Sequence, residues 1–210
     1  MDTKTAYNFW SVQYDTNVNR TRDLEALVLQ QTLAGIKFDT CLEIGCGTGK
    51  NTAWLTGKAR EITAVDLSDE MLAKAKEKIG SQNVHFIQAD ILQDWHFVIK
   101  KYDLVIFSLV LEHIENLEPV MEKVSKALVP GGYVYIGELH PFKQYSGSKA
   151  RFTTDAGEQV VSCFDHHISD FIEAAKKFGI GIIELKEFFD DGDRTGIPRI
   201  LMLLLQKPQA

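Results

Sequence analysis

The sequence predicts an α/β fold with a doubly wound, mostly parallel sheet. Three observations carry that prediction. Short apolar runs alternate with helix-compatible segments, and the first four runs begin about 20 residues apart, the rhythm of βαβ units. A glycine-rich turn, CLEIGCGTGKNT from Cys41 to Thr52, joins the first run to a helix start. The segment DLVIFSLVL, from Asp103 to Leu111, is almost wholly apolar, as a strand covered on both faces must be.

A helix over Arg22–Ala34 precedes the first strand, Thr40–Ile44. Ile62–Asp66, Val84–Gln88, Asp103–Phe107 and Tyr133–Gly137 supply the next four strands. In SDEMLAKAKEKIG, Ser68 is placed to cap a helix, and Asp69 and Glu70 complement the positive end of its dipole. Lys76 and Lys78 serve the negative end, and Gly80 offers a left-handed stop. Met71, Leu72, Ala75 and Ile79 share one face of that helix. Pro119 suits a first helical turn, with Val120, Met121, Val124 and Leu128 as its apolar stripe, and Pro130-Gly131-Gly132 breaks it. Beyond Gly137 the rhythm changes. The polar, irregular stretch of about 139–165 is predicted to be a lid-like insertion. A helix over Ile168–Phe178, ended by Gly179, follows. The strands Ile180–Phe188 and Ile200–Leu205, joined by polar DDGDRTGIP, form a hairpin that leaves an antiparallel strand in the sheet.

The whole chain, 1–210, is expected to be one domain, with residues 1–35 as an N-terminal cap. Apolar residues make up 45% and charged residues 25%, the balance of a soluble globular protein. No apolar run reaches the ~18 residues of a membrane span, so no membrane partner is expected. MDTKTAYNFW lacks the basic-then-apolar order of a secretory signal. Cys41, Cys46 and Cys163 are odd in number and widely spaced, which argues against a disulfide framework or a zinc site and for the reducing cytoplasm. A net charge of −6 gives no broad attraction for nucleic acid. Oligomeric state leaves no signature.

The glycine turn decides what kind of ligand the domain holds. A P-loop needs glycine, four residues, then Gly-Lys-Ser/Thr. Here Ile44 stands at the first glycine position and Asn51 at the hydroxyl position, so that reading fails. The dinucleotide fingerprint G-x-G-x-x-G needs its third glycine where Lys50 stands; Gly45, Gly47 and Gly49 alternate instead. Glu43, at the strand end, would repel a pyrophosphate but suits a cationic or ammonium-bearing ligand. Asp66 ends the second strand, where a doubly wound sheet meets a ribose and a carboxylate can accept from both hydroxyls. Asp90 ends the third, where an adenine edge would lie.

This ordered set resembles the class I S-adenosylmethionine-dependent methyltransferases. LEIGCGTG is similar to their first motif, AVDLSDEML to the second, IQADIL to the third and YDLVIFSLVLEHIENL to the fourth, with ALVPGGYVYIGE as the next strand. The resemblance covers roughly Thr40–Glu138. It implies a Rossmann-like seven-stranded sheet of order 3-2-1-4-5-7-6 with strand seven antiparallel. It also implies S-adenosylmethionine as cofactor and S-adenosylhomocysteine as product, with a small-molecule acceptor as partner. By resemblance, Glu43, Gly45, Cys46, Gly47, Gly49 and Ser108 surround the methionine portion and Asp66 the ribose. Leu67, Met71, Ala89, Asp90 and Ile91 line the adenine pocket. YDTNVNRTRDLE is similar to a segment that closes over the methionine end, with Tyr14, Arg20 and Arg22 as candidates. The glycines then let bare backbone approach a sulfonium ligand, with no phosphate required.

Each candidate also has a bland reading. Asp66 and Asp90 could cap helical turns. Glu112 and His113 could be a loop pair, or His113 a base. Glu138, His140 and Tyr145 follow the fifth strand at the expected acceptor mouth, and His140 is a candidate to touch the acceptor. His166-His167 lacks ligand spacing, so no metal is expected. Trp10, Phe142 and Phe152 could wall an apolar acceptor site or simply pack. No Asp/Asn-Pro-Pro-Tyr/Phe tetrapeptide follows the fourth strand, and in this family that tetrapeptide goes with amine methylation on bases or glutamine; its absence argues further against nucleic acid. Two rivals stand beside this reading. One is an NAD-dependent oxidoreductase, which would need a glycine at Lys50 and a Tyr-x-x-x-Lys set that is absent between Val105 and Asn116. The other is a methyltransferase-like, non-catalytic protein that serves a partner.

Overall fold

The computed structural model describes residues 2–154 and 157–209. Two short helices open the chain, α1 (Thr3–Trp10) and α2 (Arg20–Leu33). The strands β1 (Thr40–Ile44), β2 (Glu61–Asp66), β3 (Val84–Gln88), β4 (Tyr102–Ser108) and β5 (Leu128–Leu139) follow, separated by α3 (Lys50–Leu55), α4 (Asp69–Lys78) and α5 (Glu118–Ala127). Then come α6 (Pro141–Tyr145), β6 (Arg151–Thr154), β7 (Gly157–Val160), α7 (Ile168–Lys177), β8 (Gly181–Phe188) and β9 (Ile200–Gln206).

The main sheet has the order β3-β2-β1-β4-β5-β9-β8. β1 to β5 pair in parallel, and β9 runs antiparallel to both β5 and β8. With β8 as the sixth strand of the sheet and β9 as the seventh, this is the expected 3-2-1-4-5-7-6 order. Both faces carry a core. One holds Val105, Phe107, Val134, Ile136, Leu203 and the stripe of α5; the other holds Leu104, Ile106, Tyr135, Met202 and Val28, Leu29 and Leu33 of α2. β4 and β9 therefore bury successive residues on opposite faces, which explains their lack of polar alternation.

Local signals set the element ends. Ser68 accepts from the Met71 N–H at 3.1 Å and caps α4. That helix ends on Ile79 in an extended conformation, so Gly80 does not supply the left-handed stop that the sequence offers. Gly179 does take a left-handed conformation after α7, with φ 74°. The stretch after β5 is less irregular than expected: α6 and the β6–β7 antiparallel pair lie in it. Positions 155 and 156 of that predicted lid lie outside the described residues. No helix among the described residues is long and apolar enough to cross a membrane.

Candidate active site

Strands β1 and β4 are sheet neighbours, with Ile44 beside Phe107, although 63 positions separate them. Their following turns diverge to opposite faces, and the crevice between them is where open α/β sheets hold ligands. The Gly45–Gly49 turn forms one side. The N–H groups of Gly45 and Cys46 donate to the Val65 carbonyl at 2.7 and 3.0 Å, which folds the turn over the tip of β2. Gly45, Gly47 and Gly49 all have positive φ, at 72°, 54° and 81°. Their surroundings differ. A Cβ on Gly45 would meet Val110 at 2.2 Å and one on Gly49 would meet Ile79 at 2.6 Å, whereas one on Gly47 would meet nothing within 4 Å. Gly45 and Gly49 are thus bare for packing, and Gly47 faces open space.

That space is a cleft of about 890 Å³, counted with the solvent in its open mouth. Gly45, Gly47, Asp66, Leu67, Ala89, Asp90, Ile91 and Ser108 all line it. Asp66 Oδ2 accepts from the Gly47 N–H at 2.7 Å and Oδ1 from the Ser68 N–H at 2.8 Å. A carboxylate has about four lone-pair sites, so each oxygen keeps one for a ligand hydroxyl. Burial raises the Asp66 pKa, opposed by these backbone bonds. Asp90 combines both readings: it lines the cleft, and its Oδ1 also accepts from the Leu92 N–H at 2.9 Å.

A smaller, more polar chamber of about 380 Å³ adjoins the cleft and shares Tyr14, Gly45, Gly47, Ser108 and Leu109 with it. Glu43, Cys46 and Arg22 line this chamber. Arg22 is held against the Tyr14 carbonyl and, at 2.7 Å, the Asn17 carbonyl, with its guanidinium 4.6 Å from the centre of the Tyr14 ring. Glu43 is buried and accepts from Thr52 at 2.6 Å; burial pushes its pKa to about 8. Sequence reading missed Glu25 and Asn51 here. Glu25 accepts from Tyr135 at 3.0 Å, from Asn51 at 3.2 Å and from the Ser108 hydroxyl, and burial raises its pKa to about 7. Asn51 lines the chamber, and its Oδ1 is buried with no hydrogen-bond partner. A signal for Glu25 does exist in the sequence: it is an acid on the same stripe of α2 as Leu29 and Leu33, which are fully buried.

Other candidates land elsewhere. Met71 is fully buried outside the cleft lining, packed with Ala6, Trp10, Phe152 and Val161, because the turn of α4 that carries it faces α1 rather than the strand tips. His140 also stands away from the cleft. It is fully buried; Nδ1 accepts from the Phe142 N–H at 3.1 Å and Nε2 donates to Glu187 at 2.9 Å, so both nitrogens are spent on capping α6 and tying it to β8. Burial lowers its pKa. Tyr145 contacts His167 at 2.6 Å, outside the cleft. Trp10 and Phe152 stack on each other at 5.3 Å, and Tyr7 and Tyr14 stand in front of them as the aromatic side of the cleft. Phe142 packs on His140 instead.

His113 does reach the cleft, as does Tyr7 of α1, which sequence reading did not single out. Below His113, Glu138 accepts from the Val110 and Leu111 N–H groups at 2.9 and 2.8 Å and orders the turn after β4; burial and then Glu112 push its pKa to about 8. Glu112, His113 and Cys163 offer ligand atoms within 4.8 Å of one another, but both His113 nitrogens are already engaged, with Tyr7 and Ser162.

Residues 42–136, the span of these strand tips and turns, match the family model of a methyltransferase domain. With the sheet order, this marks residues 42–136 as a methyltransferase domain, set in the Rossmann-like sheet of the class I S-adenosylmethionine-dependent fold. The chain is 27% identical to an uncharacterized methyltransferase of Emericella nidulans, over 88% of this chain and 78% of that protein. Other curated relatives match over shorter stretches, and the chain spans 25–64% of their length. Among solved structures it is similar to a DhpI–SAH complex, with TM-score 0.76 and 25% identity over 98% of this chain and 95% of that one. It shares its fold with the N-methyltransferase NodS of Bradyrhizobium japonicum WM9 in complex with S-adenosyl-L-homocysteine, with TM-score 0.75 and 17% identity over the full length of both.

Proposed function

We propose that this chain is a single-domain, cytoplasmic enzyme that binds S-adenosylmethionine and transfers its methyl group to an O, N or C atom of a small-molecule acceptor by in-line displacement. The observation that carries the reading is the coupling of Asp66 to Gly47. One carboxylate pins the bare turn by its N–H and presents spare lone pairs to the cleft beside Gly47, the glycine of that turn whose Cβ would meet open space. Asp66 suits ribose hydroxyls, and Leu67, Ala89, Asp90 and Ile91 suit an adenine. In the polar chamber Arg22 matches a carboxylate, and Glu25, Glu43 and the unpartnered Asn51 Oδ1 match an ammonium. The bound cofactor supplies a methyl group on an already positive leaving group. The chain's own residues then align the acceptor and exclude water. A dinucleotide fits the site worse, because Glu43 and Glu25 stand where a pyrophosphate would need donors.

Melting curves with S-adenosylhomocysteine and with NAD test this. At 100 times its dissociation constant, a specific ligand stabilises by about 2.7 kcal/mol. S-adenosylhomocysteine should raise the midpoint and NAD should not. Asp66→Ala should weaken S-adenosylhomocysteine binding by roughly 1.5–3 kcal/mol in calorimetry, the scale of hydrogen bonds to a charged group. An NAD response, or unchanged affinity in the variant, would refute the assignment.

A further inference from the structure

The two nitrogens of His113 have fixed roles. Nδ1 lies 2.9 Å from the Ser162 carbonyl oxygen, which only accepts, so Nδ1 carries the hydrogen. Nε2 is then the bare nitrogen, and it accepts from the Tyr7 hydroxyl at 2.8 Å. A phenol that donates its one proton keeps two lone pairs. Tyr7 is half-buried on the cleft side, so those lone pairs are open to whatever enters. The acids that face the ring are Glu112 and, further off, Asp66, and burial raises the pKa of both; Cys163 and Tyr14 stand there as neutral groups, each pushed by burial to about 12. Glu112 Oε1 stands 3.9 Å from Nε2, and Glu112 Oε2 is buried without a hydrogen-bond partner. Cys163 Sγ lies 3.8 Å from Nδ1, and Tyr14 and Asp66 stand further across the cleft. Lys4, the cation on that lining, pairs with Asp69 at 3.6 Å. A positive charge formed on His113 would therefore be stabilised, and a second negative charge brought to Tyr7 would be opposed.

We propose that Tyr7 and His113 form a proton relay for the acceptor, and that the acceptor's attacking atom carries a proton, as a hydroxyl or amine does and a carboxylate does not. The proposal rests on the methyl-transfer reading above and names its substrate class. The acceptor's lone pair forms the bond to the methyl carbon; the methyl–sulfur bond breaks and its electron pair stays on sulfur. The acceptor's proton passes to the Tyr7 oxygen as the Tyr7 proton passes to His113 Nε2. The positive charge thus moves from sulfur to an imidazolium beside Glu112, which later releases its proton to water. A carboxylate is already ionised at neutral pH, has no proton to give, and would face Glu112.

Two measurements on the full chain test the relay. Nitrogen NMR of histidine-labelled protein should show His113 as the Nδ1–H tautomer, with its Nε2 signal moved in Tyr7→Phe; the opposite tautomer would overturn the proposal. Release of S-adenosylhomocysteine from S-adenosylmethionine should then be followed with three pools of small compounds: alcohols with phenols, amines, and carboxylates. Turnover is expected with the first or second pool. His113→Gln should lower kcat by about 10²-fold, at the low end of general acid–base effects. Tyr7→Phe should lower kcat about 10-fold or more without changing S-adenosylhomocysteine affinity. Turnover confined to carboxylates, variants as fast as the parent, or no turnover with alcohols and amines while S-adenosylhomocysteine still binds would each overturn the relay and leave the cofactor reading standing. Failure of the parent to bind S-adenosylhomocysteine would instead strike that reading itself.

Discussion

Gly45 and Gly47 look equivalent in the sequence and play different parts in the structure. Both have positive φ, which costs an L-residue roughly 1–2 kcal/mol. Gly45→Ala adds a collision with Val110 at 2.2 Å, so it should lose clearly more stability than that in chemical denaturation. Gly47→Ala, with nothing within 4 Å of its Cβ, should lose only the backbone part but bind S-adenosylhomocysteine more weakly in calorimetry. Equal stability losses in the two variants would contradict the geometry. Residue types and spacing sufficed to find this turn, Asp66 and Asp90, because strand tips in a parallel sheet are forced to one edge. They could not place His140. Its position just after β5 puts it near that edge, but its orientation depends on the local Phe142 N–H and on Glu187, a contact made by chain that folds back later.

At the scale of elements, α6 shows what that histidine does. The helix is five residues long, too short to persist alone, and His140 fixes its start while Glu187 ties it to β8. Arg199, in turn, holds Asp190 at 2.6 Å at the end of the same hairpin. His140→Ala would strip the Phe142 N–H of its partner and leave Glu187 unpaired, at a cost of roughly 1–3 kcal/mol. The thermal midpoint should fall while S-adenosylhomocysteine affinity stays native; a variant of native stability with impaired turnover would return His140 to the site. The strands β1, β2 and β4, with α4, α5 and α7, were legible from their apolar runs and their capping or breaking residues, whereas β5 starts at Leu128, inside the stripe assigned to the helix before it, and runs through Pro130-Gly131-Gly132. The β6–β7 pair was not legible. RFTT and GEQV are short and carry little apolar signal, and they gain strand geometry from pairing with each other. α1 was missed for a related reason. Its helical stripe, Ala6 and Trp10, is apolar only where it meets Met71 and Phe152.

At the scale of the molecule, buried acids set the pH response. Burial pushes Glu25 to about 7 and both Glu43 and Glu138 to about 8, from an ordinary 4.5. In the folded protein these groups keep protons that the unfolded chain has already lost. Their contribution is fully present below the ordinary carboxyl range and is lost as pH rises through 7 to 8. The slope per group has a ceiling of about 1.4 kcal/mol per pH unit. Melting midpoints should therefore decline from pH 5 to pH 8, and Glu138→Gln, which keeps an oxygen for Val110 and Leu111, should flatten the decline. A parent whose midpoint rises across that interval would refute the burial of these protons.

The seating of α1 carries a consequence beyond its own stability. Asn8 accepts from the Ser68 hydroxyl at 2.6 Å, so the helix that brings Tyr7 is pinned to the very residue that caps α4 and that Asp66 holds by its N–H. The residues proposed to grip the nucleoside and those proposed to wall the acceptor lie on separate stretches of chain, and this serine joins them beside the Lys4–Asp69 pair and the packing of Ala6 and Trp10 on Met71. Exchange of the first dozen residues for an unrelated helix that preserved this latch would retarget the chemistry and spare the engine.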